Sequence, residues 1–596
     1  MDRRNFVKSA ALVPLAASLR SGYGETTAVA AASTSDAGMK AVEVDTPIRA
    51  RYETTLRRVL SGGPPAYMQE FVLADVGPGN FGPAGGRRFT EFSGDVSGRY
   101  IGALGTASRV YGTQFPGLDS LVAKVIALQK PDGYFGSTFH YDKPTDLDLA
   151  LLWGNGRLLV GLLEYYRLRP SAEVLASCRK LGDWLVRIGP LMLSKGIREE
   201  FGAAHFASSY ICWTQQTEGL ANLYQITKDE RYRKLVEDIF AVTERRPSDH
   251  VHGYLCSVRG AMDLYATTGD ARLLSKCEAA WSDIAESKDS LITGGVPEGW
   301  SPNNHRTEGC GEADWLRLNL QLWKATGNAK YLSMAERATF NEVAFNQFAS
   351  GDFGHHAFTE TGLPAGGAVR AWWCCTLHGL RCFPDIQSSA FRSDEDGLSF
   401  DLPVDGAVKS AAFSANSEST LARDGKVRIR IAEADKTSAA LRVRKPEWAD
   451  ELSVRVNNGA AQSSVEKDYV PVERAWHAGD VVEVHYKMSL RAEPVGTDRV
   501  SYWFGPWLLG VPASENAAYF NELTVDNRLS GKPVSAAGGA SSVKEAFAVP
   551  IAATAFGYIP AEFPDQPGTV TLRAIAEQAG QATTSWELRL LREGRV

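Results

Sequence analysis

Long apolar runs are missing from this chain. No stretch of about 18 hydrophobic residues occurs that could cross a bilayer, although 44% of its 596 residues are hydrophobic. Charge of one sign is missing too. The 64 basic residues nearly balance 70 acidic ones, for a net charge of −6. No long basic run appears, so a nucleic-acid partner has no electrostatic support. Cysteine is sparse, at eight residues, and a chain this long buries a large core without disulfide staples. At about 150 residues per domain, the length suggests roughly four units, or two or three larger ones. Aromatic rings are plentiful, with 14 Trp and 20 Tyr. Such rings suit sugar faces, although most serve a core.

The first residues read as an address. Asp2-Arg3-Arg4-Asn5-Phe6-Val7-Lys8 precedes a short apolar segment from Ala10 to Leu19, and small residues follow from Ala28 to Ser33. This order predicts a twin-arginine export signal over residues 1–32 and a periplasmic or secreted protein. That route carries folded proteins, so a site of reduced thiols can be assembled in the cytosol before export.

Two textures follow. Residues 45–387 read as helical. Arg157 to Tyr166 and Ser177 to Ile188 carry apolar residues at helical spacing. A weak repeat recurs as Tyr224-x-x-Thr227-x-Asp229, Tyr265-x-x-Thr268-Gly269-Asp270 and Trp323-x-x-Thr326-Gly327-Asn328. Each copy ends one helix and starts another, which predicts stacked helical hairpins closing into an (α/α) barrel with a central cleft. Residues 388–596 alternate with period two, as in Lys426 to Ile431, Leu441 to Arg444 and Val454 to Val456. Turn signals at Asn457-Asn458-Gly459 and Ala478-Gly479-Asp480 separate them. This half is expected to form β-sandwich modules, two in number. The Gly-, Ala- and Ser-rich stretch from Ser535 to Ser542 reads as a linker.

The chemistry clusters late in the helical half. One segment runs from Thr293-Gly294-Gly295 through Glu298 to Glu308-Gly309-Cys310; the other is Trp372-Trp373-Cys374-Cys375-Thr376-Leu377-His378. Three thiols and a carboxylate can complete a zinc tetrahedron. The spacing matches no standard finger pattern. A disulfide in an exported protein, or buried free thiols, account for the same residues on spacing alone.

Several motifs in order resemble glycoside hydrolase family 127, the β-L-arabinofuranosidase type formerly grouped as a domain of unknown function. They are Gln129-Lys130-Pro131-Asp132-Gly133-Tyr134, Gly161 to Tyr166, His250 through Tyr265, Thr293-Gly294-Gly295 to Glu298, Glu308-x-Cys310 and Cys374-Cys375. In the strand half, Arg444-Lys445-Pro446-Glu447-Trp448, Asn457-Asn458-Gly459, Arg474-Ala475-Trp476-x-x-Gly479-Asp480 and Gly505-Pro506 also fit. The resemblance runs from about residue 45 to at least 510. It implies an (α/α)6 barrel followed by C-terminal β-sandwich domains. It also implies Zn2+ held by Glu308, Cys310, Cys374 and Cys375, with Cys374 as nucleophile and Glu298 as general acid/base. A thiolate then replaces the carboxylate nucleophile of most retaining glycosidases. Zinc would strip the proton from a thiol whose ordinary pKa is about 8.5, and Glu298 is expected to have a raised pKa so that it can donate. Glu312 and Glu360 are the alternative carboxylates.

Substrate contacts are expected from His250 or His252, where the family has a sugar-contacting His, and from His355, His356 and His378, which flank the Cys-Cys segment. Trp300 is a candidate sugar platform, with Trp213, Trp372 and Trp373, although core packing accounts for such rings equally. Three places depart from the family. Gly154-Asn155-Gly156 stands where a substrate-binding His is usual, Ser93-Gly94-Asp95 to Arg99 replaces a His-containing segment, and Thr376-Leu377-His378 replaces Pro-Pro-Asn. Asn155 and Asp95 therefore become candidate substrate contacts, and the resemblance carries the reaction class rather than the sugar. The function it implies is a retaining exo-glycosidase on a plant or microbial polysaccharide side chain, β-L-arabinofuranoside-like. A polysaccharide lyase and a non-catalytic carbohydrate-binding protein are the alternatives. An oligosaccharide or polysaccharide is the expected partner, with no membrane span; a homodimer is left open.

Overall fold

A computed structural model describes residues 40–590 apart from 64, 78–91, 203–208, 302–303, 360, 365, 395–396, 411–412, 435–437, 498, 517–525, 530–541, 546, 555–565 and 579–582. The export signal at 1–32, Glu360 and the small-residue stretch up to 541 lie outside the described residues.

The helical half builds two concentric layers from α1 (Ile48–Leu60), α2 (Asp95–Tyr111), α3 (Leu118–Ala127), α4 (Asp146–Leu168), α5 (Ala172–Met192), α6 (Gln216–Thr227), α7 (Glu230–Ala241), α8 (Val251–Thr268), α9 (Ala271–Ala285), α10 (Gly309–Thr326), α11 (Ala329–Arg337) and α12 (Trp373–Ser388). Helices α2, α4, α6, α8, α10 and α12 pack side by side, and α12 closes back onto α2. The others lean on this ring from outside, which gives the (α/α)6 barrel. Sequence texture follows layer. In α4 every residue from Asp148 to Tyr165 is buried. In α7 only the stripe Tyr232, Leu235, Val236, Ile239 and Phe240 is buried, as an outer helix with one apolar face requires.

The repeat seen in the sequence is a capping turn. The N–H groups of Lys228, Gly269 and Gly327 each close the preceding inner helix, donating to Tyr224 O, Tyr265 O and Trp323 O at 2.8 Å. The side chains of Asp229, Asp270 and Asn328 then accept from the N–H two residues on and start the outer helix. Between α2 and α4 the layers touch through glycine. A Cβ on Gly161 would lie 2.2 Å from Gly98 O, so neither position tolerates a side chain.

Because each outer helix carries the chain back, the inner helices run parallel and their N-terminal ends share one rim. A three-stranded antiparallel sheet sits there, formed by β1 (Arg306–Glu308), β2 (Gly354–Ala357) and β3 (Ala368–Ala371). After α12 come a four-stranded and a five-stranded sheet that bury alternate side chains in a shared core. In Lys426–Ala434, Val427, Ile429 and Ile431 point inward while Lys426, Arg428 and Arg430 face solvent. A nine-stranded sheet completes the chain. One of its strands, Gly362–Leu363, comes from the helical half and pairs with Thr584–Ser585. Among the described residues no helix is long and apolar enough to cross a membrane.

Candidate active site

The rim gathers its side chains from helix starts. His250 caps α8 by accepting from His252 N, Glu308 stands at the N-cap position of α10 with its side chain turned away from the helix N–H groups, and Trp372 precedes α12. Cys310 lies in the first turn of α10, and Cys374 and Cys375 in the first turn of α12. Helix N-termini favour thiolates and carboxylates through the unpaired N–H groups and the dipole.

The three sulfurs of Cys310, Cys374 and Cys375 lie within 4.8 Å of one another. All three are free thiols, and the vicinal pair is 3.9 Å apart, so no disulfide joins them. Glu308 Oε2 lies 3.9 Å from Cys375 Sγ. Its Oε1 is buried without a hydrogen bond, although His250 Nε2 is 3.4 Å away. Burial pushes the Glu308 carboxyl well above its ordinary value, and the neighbouring Cys310 and Glu298 charges add to it against His250. Burial likewise raises the Cys310 and Cys375 thiols. Cys374, partly exposed, behaves differently. Burial opposes its ionisation, but hydrogen bonds from the Cys310 and Cys375 thiols and the charge of Arg99 bring it down to about 6. The three thiols, with Glu308 beside Cys375, are a group that could hold a metal ion, and a set of three sulfurs and one carboxylate is of the chemistry that suits zinc.

Glu298 faces this cluster. His250, Glu298 and Glu308 bring their ligand atoms within 4.8 Å of one another, and His355 Nε2 lies 3.9 Å from Glu298 Oε1 and 3.5 Å from Glu308 Oε2. The raised pKa expected of Glu298 is corrected by the structure. Burial pushes the carboxyl up, but His355, the Arg306 guanidinium bound to Oε2, and His250 outweigh it and hold it below the ordinary value. Glu312 is buried behind, its Oε1 accepting from Val296 N at 3.0 Å.

Other expected contacts are engaged within the protein. His356 stands opposite His355 on β2 because side chains alternate along a strand. It packs against Phe345 and Phe348 at ring separations of 4.1 and 5.1 Å, and burial pushes it down to about 3. His252 and His378 both turn to the buried Asp314, at 2.5 and 2.8 Å. Asn155 donates to Ser93 O, Phe135 O and Leu151 O and accepts from Phe135 N, so all its capacity goes into tying loops to α4. Asp95 accepts from Arg99 Nε at 2.7 Å and from Trp153 Nε1 at 3.3 Å. Trp300 is buried edge-to-face with Tyr254 and covered by Arg245. The half-buried Trp372 remains beside His355, with ring centroids 6.1 Å apart. Arg306 and Asp314 carried no motif in the sequence, and Arg99 entered only as the end of a segment that departs from the family. Their only signal is helical or strand spacing: Arg99 follows Asp95 by one turn, Asp314 follows Cys310 by one turn, and Arg306 shares a strand face with Glu308.

The (α/α)6 barrel thus carries a thiol–carboxylate cluster at its rim with β-sheet modules behind it. Residues 41–388 match the family described as β-L-arabinofuranosidase, GH127 catalytic domain, and residues 403–488 match its middle domain. The chain belongs to glycoside hydrolase family 127. No curated protein matches it. Among solved structures it is similar to a GH127 β-arabinofuranosidase, with a TM-score of 0.69 at 18% identity over 93% of this chain and 98% of that one. It is also similar to a GH127 β-L-arabinofuranosidase from Geobacillus stearothermophilus T6, with a TM-score of 0.65 at 17% identity over 91% and 97% of the two chains. These likenesses show the fold. Family membership sets aside the lyase and the non-catalytic alternatives.

Proposed function

We propose that the protein is an exported retaining exo-glycosidase in which Cys374 is the nucleophile and Glu298 the acid/base. The observation that carries this reading is the cluster of the Cys310, Cys374 and Cys375 thiols with Glu308 beside Cys375 and Glu298 next to Glu308. The three cysteines and Glu308 would hold Zn2+, which when bound keeps the thiols ionised.

The Cys374 sulfur attacks the anomeric carbon, and the bond from that carbon to the leaving oxygen breaks. Glu298 gives its proton to that oxygen. Glu298 then takes a proton from water, the water oxygen attacks the same carbon, and the carbon–sulfur bond breaks to restore the thiolate. Two displacements retain the anomeric configuration. Glu298 starts as a carboxylate held by Arg306, so the reading requires Arg306 to release it and a proton to be taken up as substrate enters. His250, His355 and Trp372, whose ring Arg370 overlies at 3.8 Å, would contact the sugar at the rim. The substrate is the terminal sugar of a polysaccharide side chain, a β-L-arabinofuranoside or a close relative.

A panel of aryl furanosides and pyranosides identifies the sugar, and NMR of the first product gives its anomeric configuration. A cyclophellitol-type inhibitor should leave a thioether on Cys374. An inverted product, or an adduct on a carboxylate instead, would overturn the assignment.

A further inference from the structure

Of the three clustered thiols, one is distinguished by its neighbour. The Arg99 guanidinium is buried at 3% exposure. Its NH1 donates to Cys310 Sγ at 3.4 Å. Its other edges are taken: Nε donates to Asp95 Oδ1 at 2.7 Å and NH2 to His252 Nε2 at 2.8 Å. A guanidinium only donates, so His252 Nε2 is the acceptor and its Nδ1 carries the hydrogen. That hydrogen goes to Asp314 Oδ2, 2.5 Å away. Asp314 is fixed in turn by Arg259 and His378 at 2.8 Å each. The chain Asp314–His252–Arg99 leaves NH1 one direction, toward the sulfur.

Cys374 has no such donor. Its sulfur is hydrogen-bonded to Cys375 at 3.9 Å and clusters with Cys310, and the Arg99 charge reaches it without a hydrogen bond. Cys375 is fully buried.

We propose that Arg99 is a positioning residue that makes Cys310 a quiet ligand and so leaves Cys374 as the thiolate that reacts. A charged N–H donor draws electron density from the sulfur it points at, and in a dry site the effect is not diluted by water. Cys310 then stays a ligand while Cys374, partly open to the cleft and without an N–H donor, keeps its nucleophilicity. The inference rests on the zinc–thiolate reading of the site and adds the selection among its sulfurs.

The test reads chemistry at each sulfur rather than turnover. Zinc is counted in the full-length protein. The protein is then treated with limiting methyl iodide, small and uncharged enough to enter the rim, and initial methylation at Cys310, Cys374 and Cys375 is mapped by peptide mass spectrometry. The wild type should methylate on Cys374. In Arg99→Met at equal zinc content, the ratio of Cys310 to Cys374 methylation should rise roughly tenfold, the scale of one hydrogen bond to a charged group. Arg99→Lys keeps a cation but cannot serve three partners at once, so it should fall between. If Arg99→Met does not accumulate as folded protein, Arg99→Lys carries the comparison. An unchanged ratio in a folded, zinc-containing variant overturns the role of Arg99 and leaves the function reading standing. A merely structural arginine would lower stability or zinc content without moving the ratio. A wild type that holds no zinc, or that methylates elsewhere than on Cys374, overturns both.

Discussion

Glu298 and Arg306 are joined twice. Glu298 N donates to Arg306 O at 2.8 Å, and the Arg306 guanidinium binds the Glu298 carboxylate. The acid-bearing loop is thereby laid along β1, which ends at Glu308. One element positions both a candidate acid and a candidate ligand; His355 stands within reach of both carboxylates, and what separates them is the Arg306 guanidinium bound to Glu298.

That separation gives the first prediction. Glu298→Gln should retain metal and fold, because Glu298 is not one of the four residues proposed to hold the metal. Hydrolysis of natural glycosides should fall by roughly 10²–10⁴, the usual worth of a general acid. An activated aryl glycoside needs little proton help and should survive better in its first step. Loss of metal in this variant, or equal near-normal rates on both substrates, would show that another carboxylate is the acid.

The metal prediction concerns content and stability together. Elemental analysis should find about one zinc per chain. Cys310→Ser and Cys375→Ser should each lose it. Chelation should lower the melting temperature, because an ion bound only by the folded state stabilises that state. A natively prepared, metal-free protein with a disulfide among these cysteines would contradict the site.

Acid sensitivity should be seated in the barrel interior. Glu218 is buried between Arg157 at 2.8 Å and Arg259 at 3.3 Å. Burial pushes its carboxyl up, but the two guanidiniums outweigh that and hold it well below 4.5. A depressed folded value means stability that is present above the ordinary carboxylate value and lost as pH falls through the folded one. Glu218→Gln should cost about 3–5 kcal/mol near neutral pH. Its deficit should shrink as the wild type is acidified below the carboxylate range. Urea unfolding of both proteins across that range reads the difference, and a pH-independent deficit would count against the ion-pair account.

The glycine contact between α2 and α4 should be intolerant. A methyl at 161 meets backbone rather than a flexible side chain, so Gly161→Ala should destabilise by roughly 1–3 kcal/mol. Gly269→Ala has open space around it and suffers only from its positive φ of 69°. Comparing the two melting temperatures separates steric contact from backbone strain.

Export is tested at Arg3 and Arg4. Changing both to Lys should abolish periplasmic yield, with the unprocessed chain retained inside. Unchanged yield would refute the twin-arginine route.

What could be read from the chain alone has a short range. The capping turns at Thr227, Thr268 and Thr326 use atoms within a few residues of one another, so the helical hairpins were legible. So was the change to period-two strands after residue 388. The thiols, Glu308 and Glu298 were legible through motif resemblance, since they sit in two short segments. Contacts made across the ring were not. Asn155 occupies a place where the resemblance implies a histidine, yet its amide is taken up by Ser93 O and Phe135 O from other segments and Leu151 O of its own helix. His355 and His356 differ only by the face of β2, and the pairing of that strand with β1 decides which of them reaches Glu308. Arg99 meets Cys310 only because α12 closes onto α2 and completes the ring. Local hydrogen bonding and period set the elements; long-range packing of the buried helices decided which side chains meet, and with that the chemistry at the rim.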